Sequence, residues 1–498
     1  MSALPHAAPA PQPTPGPKVR SGRIDLFLRF PRLRWLAERR WFQFAVVLPN
    51  LGLFLLFLSA GLFGTPVGNR NIIIVFVWIL WWFLLISALV PFTSRIWCTV
   101  CPFPFFGEWA QRRALVQVRA VDPKKKKGGP GVVIGRNRYF GKNLKWPKAL
   151  SNIWLQNIGF LALCTFSALF LTRPIVSVIV LGSLFVIATV LHLVYRQRTF
   201  CSYVCPVSGF LSLFSMASMT EVRPRDLDVC QTCTDKGCLA GSDKGWGCPW
   251  LIYPSKLERN NYCGLCMECV KACPHGNMTV NLRPFLSDGW LKGYDESYKA
   301  FIMLSLALAY SVIYLGPWAF LKDWANIAEK HDWAGFFTYA GALWALALVV
   351  LPGTYYLVVR LGRSLAGAPA GTTAPPTKDV FLGFAHPLVP LGLLAWVAFS
   401  FPLMLVNGSY ILQVLSDPFG WGWDLFHTAH VAWTPVVPWW TPYIQVALLL
   451  TGLFFALRSG ARHARRLFPG GARALRAFAP VALLLGGIVA GFFTLYVG

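Results

Sequence analysis

The chain has 498 residues, 55% of them hydrophobic and 13% charged, and a formal net charge of +26. Water-soluble domains carry about 25% charged residues, so this composition excludes a soluble globular enzyme and points to a bilayer protein. No basic run interleaved with aromatics suggests a nucleic-acid partner, and Lys and Arg anchors on one side of a membrane account for the excess charge.

Residues 1–24 are Pro- and Ala-rich and too poor in apolar side chains to fold. With the basic approach through Arg29, Arg32, Arg34, Arg39 and Arg40 they make an expected disordered arm, 1–40. No short apolar region near Met1 precedes a small-residue cleavage site, so no removed signal peptide is expected. Apolar runs long enough to cross roughly 30 Å of hydrocarbon as helices follow near 42–63, 72–91, 151–171 and 175–195. Five more lie near 299–318, 335–359, 380–405, 441–457 and 477–497. The Gly128-Gly-Pro-Gly131 stretch has no nucleotide-loop spacing and reads as a hinge, and the link 362–378 reads as flexible.

Lys and Arg gather in the N-terminal arm (eight), the 92–150 loop, including Lys124 to Lys127 (thirteen), and the 458–476 loop (six). The alternate loops hold one at 64–71, one at 172–174, two at 319–334 and none at 406–440. The positive-inside rule then places the N-terminus in the cytoplasm, with nine spans and the C-terminus outside.

An internal repeat marks the first four spans. The second ends in Arg95-Ile-Trp97-Cys98-Thr-Val-Cys101-Pro102 and the fourth in Arg198-Thr-Phe200-Cys201-Ser-Tyr-Val-Cys205-Pro206. Pairs at i,i+3 and i,i+4 share one helix face, which puts Cys98, Cys101, Cys201 and Cys205 at the cytoplasmic ends of two helices. Three readings stand: a third iron–sulfur cluster on four thiolates, a thiol relay or copper-handling site, or four cysteines that only pack. Arg95 and Arg198, three residues before Cys98 and Cys201, favour the thiolate. Cys164, alone in its span, reads as a small packed hydrophobe.

Eight of the thirteen cysteines fall between Cys230 and Cys273. Cys263, Cys266, Cys269 and Cys273-Pro274 form C-x2-C-x2-C-x3-C-P, the bacterial ferredoxin run whose fourth cysteine crosses to the other cluster. Cys230, Cys233, Cys238 and Cys248-Pro249 repeat that order with wider gaps. One [4Fe–4S] cluster is therefore assigned to Cys230, Cys233, Cys238 and Cys273, the other to Cys248, Cys263, Cys266 and Cys269. The other readings are a zinc ribbon, which pairs two C-x2–4-C knuckles, and a disulfide knot, which a reducing cytoplasm disfavours.

The histidines give weaker signals. His192 and His386, near the inner ends of their spans, suit a haem or a quinone contact; haem needs the two to meet, and nothing in the sequence brings them together. His427 and His430, with Asp424, have i,i+3 spacing that suits a metal on a short helix. An aromatic-rich helix lying on the membrane surface among Trp421, Trp423, Trp433, Trp439 and Trp440 is the other reading.

The doubled hairpin with Cys-x2/3-Cys-Pro, followed by paired ferredoxin motifs, resembles the NapH/NosR/CcoG group of membrane polyferredoxins over residues 42–285. The resemblance implies a bacterial inner-membrane protein that passes electrons between a cytoplasmic partner and the quinone pool or a reductase, or one that reduces copper during oxidase assembly, as CcoG-like members do. The family's cysteine pairs correspond to Cys98/Cys101 and Cys201/Cys205. The chain departs from the group in the x2 spacing of its first pair, in having no flavin-binding domain ahead of the first span, and in its five later spans.

The expected architecture is an all-α polytopic membrane protein of about nine helices with an inserted cytoplasmic 2[4Fe–4S] ferredoxin domain. Its parts are the arm 1–40, the duplicated hairpins 41–221, the ferredoxin-like domain 222–292 and a five-helix region 293–498.

Overall fold

The computed structural model describes residues 22–114, 118, 121, 131–289, 291–368 and 373–497. Residues 1–21 of the arm, Lys124 to Lys127, the hinge residues 128–130, residues 369–372 of the link and Gly498 lie outside the described residues. The described chain opens with β1 (Ile24–Asp25), a helical turn and α1 (Pro31–Glu38), so the expected disordered arm ends well before residue 40. The reason is tertiary. Asp25 caps the turn, pairs with Arg225 and accepts from Thr279 at 2.6 Å, and Phe27 is buried beside Val222 and Val280. The cysteine-rich domain supplies the apolar surface that the arm lacks.

Among the described residues eight helices are long and apolar enough to cross a membrane. The first two, α2 (Arg40–Phe63) and α3 (Ile73–Thr93), form a hairpin. Wide π-turns run through Ile73–Trp81 of α3, a distortion often found at functional sites. Two short helices follow, α4 (Trp97–Val100) and α5 (Phe105–Arg112).

The expected third span is two helices, α6 (Trp154–Thr165) and α7 (Ser167–Thr172), broken at Phe166. Thr165 bonds back to the Leu161 carbonyl and accepts the Trp344 indole N–H, and such back-bonding bends helices. Next come α8 (Pro174–Val194), which exposes an apolar stripe of Ile175, Ile179, Val186 and Val190 suited to lipid, and α9 (Pro206–Phe214).

Five long helices complete the bundle: α10 (Tyr294–Leu315), α11 (Trp333–Ala366), α12 (Thr377–Asn407), α13 (Thr441–Leu467) and α14 (Gly471–Tyr496). Both α10 and α12 are 67% buried and form its centre. The α6–α7 pair runs beside α10, with Asn157 donating to the Asp295 carbonyl at one end and Ser167 bonding Tyr314 at the other. The expected 458–476 loop shrinks to 468–470, because α13 and α14 continue through it. Their Arg-bearing turns are too polar for a hydropathy window yet keep helical hydrogen bonds.

The cysteine-rich domain is not wholly helical. A hairpin of β2 (Val132–Ile134) and β3 (Asn137–Tyr139) leans on it, and β4 (Thr220–Pro224) and β5 (Met278–Leu282) flank the eight cysteines in an antiparallel sheet ordered β1-β5-β4. The domain is bolted to the bundle by buried ion pairs: Arg40 to Glu268 at 2.9 Å, and Arg259 to Glu296 at 2.7 Å. At the far end of the bundle, Tyr496 bonds Ser311.

Candidate iron–sulfur sites

The two Cys-Pro segments do not sit at helix ends as expected; they fold back between the long helices. Ser94 (φ 58°) and Gln197 (φ 47°) both have a positive φ, uncommon for residues with a Cβ. Each stands one residue before Arg95 or Arg198, so the reversal belongs to the repeat. After it, Asn50 and Gln43 of α2 donate to the carbonyls of Val100 and Thr99. Trp97 packs on Trp81 with ring centroids 4.8 Å apart, and Phe103 packs on Phe54 at 5.4 Å. Phe54 is about 21 Å along α2 at 1.5 Å per residue. The cysteines are therefore carried deep between α2, α3 and α8.

There Cys98, Cys101, Cys201 and Cys205 line one cavity of about 170 Å³. Its walls are apolar, with Leu53, Phe54, Phe57, Phe76, Trp78, Trp81 and Leu181 among them. The four thiols are close enough for their charges to interact, Cys201 with the other three and Cys205 with Cys98. Burial pushes the Cys205 thiol up to about 12 and raises Cys101 and Cys201 as well, the latter helped by Cys205. A bound metal centre would supply the positive charge that favours thiolates at such a site.

Arg95 donates to Cys98 Sγ at 3.9 Å and to Ser208 Oγ at 2.5 Å, and bonds the Asn261 carbonyl. Arg198 bonds the Cys98 carbonyl and pairs with Glu108 at 2.5 Å. Burial pushes the Glu108 carboxyl up, but Arg198 and Arg112 overcome it and hold it down at about 2. The arginines thus act differently, Arg95 on a thiol and Arg198 through backbone and carboxylate.

The spacing assigns the eight cysteines from Cys230 to Cys273 to two groups of four. Cys238 lies within electrostatic reach of Cys273, Cys230 and Cys233, and burial raises it to about 12. Cys248, Cys263, Cys266 and Cys269 line a second, small cavity of about 20 Å³. Cys269 senses Cys266, Cys263 and Cys248, and also Cys238 of the first group. The helix Glu268–Ala272 carries Cys269 and is followed directly by Cys273, so one short element holds a cysteine of each assigned group. Among the described residues no three His, Cys, Asp or Glu side chains are arranged to hold a single metal ion. Eight cysteine sulfurs in two such runs are the donor type that iron–sulfur cubanes take. Cys248→Ser is expected to remove one of the two centres and leave the other, read as selective loss of one EPR signal with about four irons lost. Loss of both signals, or of neither, would contradict the grouping.

Trp250, two residues past Cys248, joins this centre to the deep one. It lines the small cavity, Arg95 sits 4.3 Å above its ring and Arg198 6.0 Å away. Arg198 senses both Cys201 and Cys266. Sequence reasoning missed Trp250, although its place after Cys-Pro was a usable signal. It also missed Lys299, which lay at the first residue of an expected span; the helix starts at Tyr294 and buries it completely.

The other candidates stand apart. Cys164 is buried on α6. His192 is buried with Nδ1 at the Ala188 carbonyl and its ring against Gly107. His386 Nδ1 bonds Ser459 Oγ at 2.7 Å and its ring lies 5.2 Å from that of His463; nothing joins it to His192. His427 and His430 are in an exposed loop, not on the expected short helix, with the His427 side chain 93% exposed. Ser416 Oγ and the Asp424 carboxylate accept the backbone N–H groups of Phe426 and Ala429, a local arrangement that competes with helix.

A family model described as a 4Fe-4S binding domain matches residues 74–128 and 178–218. These segments hold Cys98, Cys101, Cys201 and Cys205 and omit the eight ferredoxin cysteines. The chain is an iron–sulfur protein with apolar helices of membrane-spanning length. No curated protein and no solved structure matches it.

Proposed function

We propose that this chain carries single electrons between a redox partner on the cytoplasmic side and the membrane quinone pool, through three centres held by its cysteines. Cys230, Cys233, Cys238 and Cys273 make the entry centre, with Cys230 and Cys233 partly exposed. Cys248, Cys263, Cys266 and Cys269 make the middle one, and Cys98, Cys101, Cys201 and Cys205 the deep one. A [4Fe–4S] cluster at each would give and take one electron at a time. The observation that carries this reading is the return of both Cys-Pro segments into one apolar cavity. Its far wall, Phe57 and Phe76, lies about 9 Å or less from the outer ends of α2 and α3 at 1.5 Å per residue. An acceptor in the hydrocarbon then needs no electron to cross roughly 30 Å in one step. Arg95, Arg198 and Trp250 fill the space between the middle and deep centres and keep water out of it.

The second reading is a copper reductase of CcoG type, favoured by the four cysteine sulfurs of the deep site, since soft thiolates select Cu(I). In either case the α6–α7 pair counts as a ninth crossing, which puts the N-terminus and the ferredoxin domain in the cytoplasm of a bacterial inner membrane and the C-terminus outside. Anaerobically purified protein is expected to hold about twelve irons per chain and to reoxidise on adding a quinone analogue. About eight irons would remove the deep cluster, and reoxidation by Cu(II) alone would select the second reading. A reporter fused after residue 497 is expected to be active outside; activity inside would mean that α6–α7 does not cross.

A further inference from the structure

The deep centre has a neighbour that neither the motifs nor the proposed route uses. Lys299 of α10 is fully buried inside a helix of spanning length. Among the described residues it forms no ion pair with a carboxylate: its Nζ donates to the Gln156 carbonyl at 3.3 Å and lies 4.6 Å over the Phe160 ring. An ammonium in such a place is costly without negative charge nearby, and a ring face offsets only part of that cost. The surroundings lead to the four cysteines. The Gln156 side chain donates to the Cys201 carbonyl at 3.1 Å. Gly209, four residues after Cys205, leaves room for the lysine; a Cβ there would stand 3.1 Å from Lys299 Cε and 2.9 Å from Gln156. Two thiols lie within electrostatic reach of the ammonium, Cys164 first and Cys205 second.

Arg95 likewise forms no ion pair with a carboxylate among the described residues; it donates to Cys98 Sγ and to Ser208, the residue before Gly209. Arg198 differs, being paired with Glu108. The four-cysteine site is thus flanked by two buried cations without carboxylate partners.

We propose that Lys299, as an ammonium, is a counter-charge for the centre on Cys98, Cys101, Cys201 and Cys205, and that it raises the reduction potential of that centre. This rests on the reading of those cysteines as cluster ligands. Four thiolates around a cubane leave a net negative charge that grows by one electron on reduction, and cluster potentials follow net charge. A nearby positive charge favours the reduced state, so electrons entering at Cys230 and Cys233 are drawn inward toward the deep site. Lys299 is a positioning residue for charge and no ligand.

The test is an EPR-monitored redox titration of the full-length protein, anaerobically purified. Lys299→Met and Lys299→Gln are expected to shift the midpoint of one signal to more negative potential and leave the other two in place, while Lys299→Arg stays close to wild type. Loss of that signal in Lys299→Met and in the N–H-donating Lys299→Gln, with its return in Lys299→Arg, also supports the proposal, because arginine restores the charge that both neutral side chains lack. An unshifted midpoint in both neutral variants at full iron content overturns it, as does loss of the signal in Lys299→Arg. About eight irons in the wild type would instead overturn the cluster reading beneath it.

Discussion

Cys205→Ser is expected to lower the iron content from about twelve to about eight per chain and to abolish electron exchange with quinone. The EPR signals of the two ferredoxin centres should persist. Cys205 caps the start of α9, accepts from the Ser208 N–H at 3.4 Å and shares the deep cavity with the other three cysteines. Serine keeps the shape but offers a hard oxygen of high pKa where a soft thiolate is needed. No substitute is at hand: Cys164, on α6, is absent from the cavity lining. The eight cysteines of the other two centres are untouched, so loss of exchange with those signals intact isolates the deep site as the junction. Quinone reoxidation at the wild-type rate would place the junction elsewhere in the molecule.

Arg283→Ala is expected to destabilise the seat of the ferredoxin domain by about 3–5 kcal/mol, the usual cost of breaking a buried ion pair from one side. The Arg283 side chain is wholly buried and pairs with Glu221 at 3.2 Å and with Asp288. It also donates to the carbonyls of Ser215, Met216 and Ser218. Removing it leaves two carboxylates less than 2% exposed and three carbonyls short of donors. These groups join β4 and the residue after β5 to the end of α9, so loosening them separates the cysteine domain from the helices. Faster proteolysis between residues 218 and 292, with early loss of iron on warming, is the measurable result. A variant that resists protease like the wild type would show that Arg23 and Arg223, which also pair with Glu221, carry the load.

The residues themselves determined a good deal. The spacing of Cys230 to Cys273 was enough to propose two groups among the eight cysteines, because three thiols two residues apart on a tight loop lie close together in space. The apolar runs marked the long helices, since hydropathy over twenty residues is a local property. Their polar extensions were invisible to it: at the end of α13 the Arg-bearing turn stays helical while Arg462 reaches the Leu286 carbonyl and Phe468 packs in the core.

What the chain order could not decide was depth. From Arg95 or Arg198 onward the repeat reads as a helix end at a membrane surface. The reversals at Ser94 and Gln197, and the acceptance of the folded-back segments by Asn50, Gln43 and Gln156, depend on helices far away in sequence. Lys299 illustrates the same limit, because its burial beside Cys205 follows from α10 packing on α6 and α9. Local periodicity specifies which residues form an element; only the packing of elements sets how deep a side chain lies and which charges it meets.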